Sequence, residues 1–160
     1  MGEQYALLCA IGNLDEALGR YDSGLQDFAR LLHIDGVTRV AIDWSRPALL
    51  VGTDCIDVID ESGILRELGH YVISFLPKEK AYTVENVTRT VDMCAHPHAM
   101  QGSSFCMSTG SEQVRISIAD GRYSTATAIL VQALKMRQGH VEVGVAYGSG
   151  QLGKWPIKEV

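Results

Sequence analysis

The chain has 160 residues and 46% of them are hydrophobic, which is enough for one domain with a buried core. Its formal net charge of −5 and its lack of a basic run argue against nucleic-acid binding, which needs clustered lysine and arginine. The apolar stretch 5–11 is too short to span a bilayer, and no basic segment precedes it as in a signal peptide. With four cysteines and no export signal, we expect a cytoplasmic protein with reduced thiols.

The spacing of apolar residues predicts one helix followed by a run of strands. A helical period covers 22–34, and its predicted apolar face consists of Leu25, Phe28, Ala29 and Leu32. The period then changes to two, which is typical of strands because successive side chains point to opposite faces. The predicted strands are 38–44, 48–52, 56–59, 71–76 and 83–93.

The second half of the chain predicts a long loop and then helices. The segment 94–110 has no clear period, and functional residues are often found on such loops. A short helix is predicted around 114–118, and a strong apolar stripe over 126–134 predicts a longer helix that ends at Gly139. A strand is predicted over 141–146. The order of elements predicts an α+β domain with its helices segregated from one antiparallel sheet.

The loop contains the residues best suited to chemistry, in the stretch AHPHAMQGSSFCMSTGSE. Cys106 follows Gly102 and two serines, whose small side chains let the backbone approach a substrate closely. Cys106 is therefore a candidate nucleophile, provided that its environment favours the thiolate. His96 and His98 are candidates for orienting the loop or for stabilising an oxyanion.

Two other interpretations of this loop stay open on the residues alone. The residue types suit a zinc site, although the spacing does not match the paired ligands of common zinc motifs; its ligands would be Cys94, His96, His98 and Cys106. The simpler interpretation is a structured loop in which the cysteine and one histidine only pack.

The remaining cysteines and a group of acidic residues are assigned structural roles. Cys9 and Cys55 are interpreted as core residues, because an unpaired cysteine behaves as a small hydrophobic residue. Asp54, Asp57 and Asp60 are interpreted as a solvated strand edge and turn. They lack the glycine and the terminal glutamate of a calcium-binding loop.

The loop resembles the active-site loop of ubiquitin-conjugating enzymes. That family carries His-Pro-Asn, and its catalytic cysteine lies ten positions after the histidine. Here His96-Pro97-His98 is followed by Cys106, ten positions after His96, and apolar residues flank the cysteine on both sides as in the family. The His-Pro-His form is similar to bacterial members encoded with ubiquitin-like modifiers and activating enzymes, often in antiphage systems.

The resemblance implies a fold as well as a chemistry. It implies an amino-terminal helix, an antiparallel meander, the active-site loop and then a long helix. The whole chain, 1–160, would be a single ubiquitin-conjugating-enzyme-like domain, with 1–21 and 139–160 outside its recognisable core. The specific likeness covers about 83–137. The family's tryptophan shortly after the cysteine is missing, and His98 stands in place of its asparagine.

The resemblance further implies a transferase with three protein partners. Cys106 would accept a ubiquitin-like modifier as a thioester from an adenylating activating enzyme and pass it to an amine of a target protein. His98 would stabilise the oxyanion, and His96 would brace the loop. The helix 22–34 would be the docking surface for the activating enzyme. No cofactor, metal, nucleic acid or membrane is expected. The alternative functions are a non-catalytic adaptor of the same fold and a zinc-binding protein.

Overall fold

A computed structural model of the protein describes residues 23–60, 62–105, 110–135 and 152–159. Cys9, Cys106 and the predicted strand 141–146 lie outside these ranges. None of the helices in the described part of the chain is long and apolar enough to cross a bilayer.

The described elements follow the predicted order of helix, strands, loop and helices. They are α1 (23–31), β1 (Val37–Asp43), β2 (Ala48–Thr53), β3 (Ile56–Ile59), β4 (Leu65–Gly69), β5 (Tyr71–Leu76), β6 (Ala81–Asn86), β7 (Cys94–His96), β8 (Ala99–Met100), α2 (Gly110–Ala119), α3 (Tyr123–Lys135) and a 3₁₀ turn (Leu152–Lys154). Helices and antiparallel sheets are both present, which confirms the predicted α+β class.

The largest sheet is an antiparallel meander in the order β1-β2-β5-β6. The hairpin β3–β4 lies between β2 and β5 along the chain and forms a separate two-stranded sheet. The hairpin β7–β8, which follows β6, forms another two-stranded sheet. Side chains of β2, β5 and α3 belong to one hydrophobic core, and Val51, Ile73 and Leu130 are fully buried in it. Burying each such side chain contributes about 2 kcal/mol.

Helix α1 buries a different face from the one that the sequence predicts. The predicted apolar residues Leu25, Phe28 and Leu32 are exposed, whereas Leu31 and Asp27 are buried. Asp27 is buried because its carboxylate accepts hydrogen bonds from the backbone N–H and the hydroxyl of Ser124. These groups lie in the first turn of α3, where a negative charge is favoured by the helix dipole.

Strand β6 is shorter than the predicted strand 83–93, because Asn86 turns the chain. Its side-chain oxygen accepts hydrogen bonds from the N–H groups of Thr88 and Arg89, both at 2.9 Å. An asparagine that bonds the backbone two residues on is a common turn former. Asp92 and Met93 have φ values of 50° and 63°, which a strand does not allow.

The interpretation of Asp60 as part of a solvated edge and turn is wrong, because Asp60 is buried. Its carboxylate accepts hydrogen bonds from the N–H groups of Ser62 and Ile64, both at 2.9 Å, and from Nε of Arg66 at 2.8 Å. These donors hold the pKa of Asp60 below its usual value despite the opposing effect of burial, and the Ile64 N–H has the largest effect. The carboxylate therefore organises the β3–β4 turn from the inside.

The described carboxy-terminal segment packs on the β3–β4 hairpin. Trp155 is 1% exposed and belongs to the core, and its carbonyl accepts a hydrogen bond of 2.9 Å from Arg66. The N–H of Glu67 donates to the carbonyl of Pro156 at 3.0 Å, and Lys158 donates from its N–H to Leu65 at 2.9 Å. The segment thus lines the outer edge of β4 like a third strand.

Candidate functional site

The His-Pro-His stretch forms the tight end of the β7–β8 hairpin. His96 is paired with Ala99, so that Pro97 and His98 form the turn between the two strands. Pro97 is buried, and its ring fixes φ at a value suited to such a turn. The stretch that the sequence predicts as an irregular loop therefore begins as a small ordered hairpin.

Both ring nitrogens of His96 are engaged by the backbone. Nδ1 accepts a hydrogen bond of 3.1 Å from the N–H of His98, and Nε2 lies 3.2 Å from the carbonyl oxygen of Leu134 in α3. Because a carbonyl only accepts, Nε2 carries the proton and the ring is neutral. Burial, and then the neighbouring charge of His98, lower the pKa of His96 to about 3.

This geometry suits His96 to bracing rather than to proton transfer. The ring ties the hairpin turn to the last residues of α3 and is 2% exposed. A base must have a lone pair within reach of its substrate. In His96 that lone pair is already occupied by the backbone N–H of His98.

His98 is half-buried beside the other aromatic rings of the loop. Its ring centroid lies 5.6 Å from that of His96 and 5.9 Å from that of Phe105. It occupies the position at which the resembled family has its asparagine. An imidazole can donate a hydrogen bond, as the amide of an asparagine can.

Phe105, the residue before Cys106, is held at three points. Its N–H donates a hydrogen bond of 3.1 Å to the hydroxyl of Tyr82, and that hydroxyl lies 3.3 Å from the Phe105 carbonyl and donates to it. Its ring is buried, with its centroid 4.7 Å from that of His96. Cys106 thus directly follows an anchored residue, and the next described residue is Gly110 at the start of α2.

The stretch before Phe105 is attached to the edge of β6. Gly102 donates its N–H to the carbonyl of Val84 at 3.0 Å, and Val84 donates to the carbonyl of Ser103 at 2.8 Å. Gly102 has a φ of 71°, which favours glycine. The Gln101 side chain bonds both backbone groups of Asn86, at 3.0 Å and 3.3 Å. The loop is therefore held to the main sheet by backbone hydrogen bonds.

Asn86 connects the loop to the rest of the molecule. The only motif it belongs to is the Asn86-Val87-Thr88 glycosylation sequon, which gives no sign of this role. The residue is buried, and its amide nitrogen donates to the carbonyls of Leu68 and Ala95 at 2.7 Å and 3.1 Å. Its oxygen accepts the hydrogen bonds of the turn after β6, so both the amide nitrogen and the amide oxygen of the side chain are bonded. A buried asparagine at the end of a strand is visible in the sequence only as a turn former.

The proposed zinc ligands of the loop do not converge in the part that the structure describes. Cys94 is buried with Sγ 3.7 Å from the carbonyl oxygen of Asp92, and both nitrogens of His96 are engaged. Among the described residues, three potential ligands lie within 4.8 Å of one another only at Cys55, Asp57 and Glu67. That group belongs to the β3–β4 hairpin rather than to the loop.

Cys55 is a poor nucleophile in this environment. Burial raises the pKa of its thiol, and the negative charges of Asp57 and Glu67 raise it further. Both carboxylates form ion pairs, Asp57 with Lys158 and Glu67 with Arg89. The interpretation of Asp57 as a solvated edge residue is therefore incomplete, because its side chain is only 22% exposed.

An apolar groove lies between α1 and the β1–β2 turn. Its volume is about 310 Å³, and its lining includes Phe28, Ile42, Trp44, Pro47 and Tyr123. Trp44 is 84% exposed, so this surface presents a large aromatic side chain to solvent. Exposed apolar surface of this kind is typical of sites that bind another molecule.

Comparisons of the chain with protein-family models, with curated proteins and with solved structures found no match. The functional assignment therefore rests on the residues and geometry described above.

Proposed function

We propose that the chain is a ubiquitin-conjugating-enzyme-like transferase that carries a ubiquitin-like modifier as a thioester on Cys106. One observation supports this most strongly: the His-Pro-His turn and Phe105 are fixed to α3 and β6 by buried contacts. A rigid support directly before a nucleophile is what positioning of a reacting atom requires. The antiparallel meander that precedes the loop, and the helices that follow it, are in the order that the resemblance implies.

The proposed reaction has two acyl transfers. The Cys106 thiolate attacks the carbonyl carbon of the thioester between the modifier and the activating enzyme, and the enzyme's thiolate leaves. An amine of the target then attacks the new thioester, loses its proton to solvent or a base, and releases the Cys106 thiolate. Each step passes through an oxyanion, and the His98 side chain or loop N–H groups would donate hydrogen bonds to it. His96 holds the turn and takes no proton.

The exposed apolar residues of the predicted helix 22–34 support the proposed docking of the activating enzyme there. Leu25, Phe28 and Leu32 present the face that the sequence predicts to be buried, and the apolar groove adjoins it. Apolar side chains at the centre of an interface contribute most of its affinity. The proposed setting is a bacterial cytoplasm, within a ubiquitination-like pathway that acts against phage.

A charging assay tests the proposal directly. The full chain is mixed with the activating enzyme and the modifier encoded beside it, and with ATP, and is analysed on gels with and without a thiol reductant. We expect an adduct that the reductant removes, and no adduct for Cys106→Ala. For Cys106→Ser we expect an adduct that resists reductant, because a thiol does not readily exchange with an oxygen ester.

Cys55→Ser is the matched control, because it removes a described thiol that lies outside the loop. It should charge like the wild-type protein. An adduct that persists in Cys106→Ala, or no adduct when both partners are active with another acceptor, would contradict the proposal.

A non-catalytic adaptor of the same fold is the second candidate, and the apolar groove is the observation that favours it. An adaptor would bind the modifier or the activating enzyme equally well as wild type and as Cys106→Ala, and would form no adduct. Binding measured by calorimetry alongside the charging assay separates the two functions.

A further inference from the structure

Two carboxylates face each other on the β3–β4 hairpin. Asp57 on β3 is the direct cross-strand partner of Glu67 on β4. Their side chains are 22% and 30% exposed, respectively, so neither charge is fully solvated. Like charges directly opposite each other destabilise an antiparallel pair. This position in the sheet therefore requires positive charge close by.

A thiol completes the group on the same face. Sγ of Cys55 lies 3.8 Å from Oδ1 of Asp57, and one ligand atom from each of Cys55, Asp57 and Glu67 lies within 4.8 Å of the others. Ligand atoms around a tetrahedral zinc ion are about 3.5 Å apart, given the usual zinc–sulfur and zinc–oxygen bond lengths. A small inward movement of the side chains would bring this group to that spacing.

The Lys158 ammonium marks where positive charge is attracted. It forms an ion pair with Asp57 and interacts electrostatically with Cys55 and Glu67 as well. Its side chain is 37% exposed, so the ammonium can move into solvent at little cost. An ion pair as solvent-exposed as this one contributes roughly 1 kcal/mol or less to stability. A divalent ion would interact more strongly with the same three groups.

A second, independent feature is the hydroxyl of Tyr71. Tyr71 is fully buried, and its hydroxyl has no hydrogen-bond partner among the described residues. Burial raises the pKa of the hydroxyl, and the nearby Asn86 side chain lowers it, but the amide nitrogen of Asn86 already donates to two carbonyls and forms no hydrogen bond of ordinary geometry with Tyr71. The hydroxyl interacts electrostatically with the Cys55 thiol and with Arg89, the ion-pair partner of Glu67. Buried hydroxyls are usually hydrogen-bonded, and a water bound to an ion at the cluster would offer this one a partner.

We propose that Cys55, Asp57 and Glu67 form a binding site for a divalent transition-metal ion of borderline softness, such as zinc. The ion displaces the Lys158 ammonium from Asp57, and Glu67 binds the ion through Oε2 while Arg89 stays paired with Oε1. The thiol of Cys55 releases its proton to solvent on coordination. One sulfur and two carboxylate oxygens form three ligands, and a water completes the tetrahedral set. The site lies in the hairpin and does not depend on the proposed transfer reaction at Cys106.

Cobalt(II) is the probe, because a thiolate bound to it gives an intense charge-transfer band in the near ultraviolet. The reduced full-length protein is titrated with cobalt(II), and the band is followed together with the visible bands of tetrahedral cobalt. We expect one equivalent to bind, with zinc displacing it. The band should be lost in Cys55→Ser and in Glu67→Gln. Lys158→Met should bind roughly tenfold more tightly, because no ammonium competes for the carboxylates.

Two control variants distinguish this site from the loop. Cys106→Ala and Cys94→Ala should both keep the band if the metal binds at Cys55. A band that disappears in Cys106→Ala and persists in Cys55→Ser would overturn the proposal and locate the metal in the loop. The absence of any band in wild type and in Lys158→Met would also overturn it. Circular dichroism of each variant without metal verifies that it is folded.

Discussion

Two polar clusters interact with the buried Tyr71 side chain, and they are stabilised in opposite ways. On the loop side, His96 stacks edge-on to Tyr71 with centroids 6.0 Å apart, and its polar atoms are neutral and bonded to the backbone. On the hairpin side, Asp57 and Glu67 are charged and are paired with the long side chains of Lys158 and Arg89.

The difference follows from burial. A buried charge without a partner costs several kcal/mol, so the fully buried His96 is neutral and all its polar atoms are bonded. The hairpin cluster is partly exposed, so its charges persist, but they depend on side chains that can exchange partners. A rigid turn suits the support of a nucleophile, whereas exchangeable ion pairs suit the capture of a cation.

The largest expected effect tests the loop through Asn86. Asn86→Ala leaves the carbonyls of Leu68 and Ala95, and the N–H groups of the following turn, without partners. We expect the free energy of unfolding to fall by about 3 kcal/mol or more, because several buried groups lose their hydrogen bonds. Urea unfolding measures it.

The control for this variant is Gln101→Ala, which removes an exposed side chain that bonds only the backbone of Asn86. It should cost about 1 kcal/mol or less. An equal fall in the free energy of unfolding for both variants would contradict the claim that the buried hydrogen bonds of Asn86 contribute more than the exposed ones of Gln101.

The next largest effect tests the hairpin through Arg66. Its side chain is 12% exposed and bonds both the Asp60 carboxylate and the Trp155 carbonyl. Arg66→Met should lower the free energy of unfolding by about 2 kcal/mol, because a buried carboxylate loses its cation. Arg115→Met, which breaks an exposed ion pair with Glu112, should change it by less than about 0.5 kcal/mol. A similar loss in both would contradict the role assigned to Arg66.

The smallest expected effect concerns pH and His96. The folded state holds the pKa of His96 at about 3, whereas in the unfolded chain it returns to its ordinary value of about 6.5. Below the ordinary value the unfolded state binds a proton that the folded state does not, so stability falls as the pH falls. Between pH 7 and 5.5 this should lower the free energy of unfolding by roughly 1 kcal/mol.

The measurement compares the wild-type protein with His96→Gln at both pH values. The variant should lack this loss, whereas His33→Gln, at an exposed position of the chain, should retain it. An unchanged slope in His96→Gln would mean that other groups cause the pH dependence.

The sequence predicts strands such as β3 and β5, because they are short runs of mainly apolar and β-branched residues bounded by turn residues, and most of those apolar residues face the core. It fails at β4, where Arg66 and Glu67 interrupt the pattern because they pair with Asp60 and Arg89. It fails at α1 for a related reason: Asp27 is buried by a contact with α3, and no local pattern encodes such a partner.

The candidate site is predictable in part. The spacing of His96, Pro97 and Cys106 is local, so the sequence contains it in full. The contacts that fix the turn come from Leu134, Tyr82 and Asn86, and no local pattern connects these residues to the turn. The cluster at Cys55 depends on cross-strand register and on the carboxy-terminal segment, so apolar periodicity gives no sign of it.

The chain contains two tryptophans, and they lie in contrasting surroundings. Trp155 belongs to the carboxy-terminal segment and is 1% exposed, whereas Trp44 lines the apolar groove and is 84% exposed. Trp155 should therefore emit at short wavelength and resist quenching by iodide, whereas Trp44 should emit at long wavelength and be quenched readily. Intrinsic fluorescence thus offers two separate optical reporters, one for release of the carboxy-terminal segment and one for occupancy of the groove.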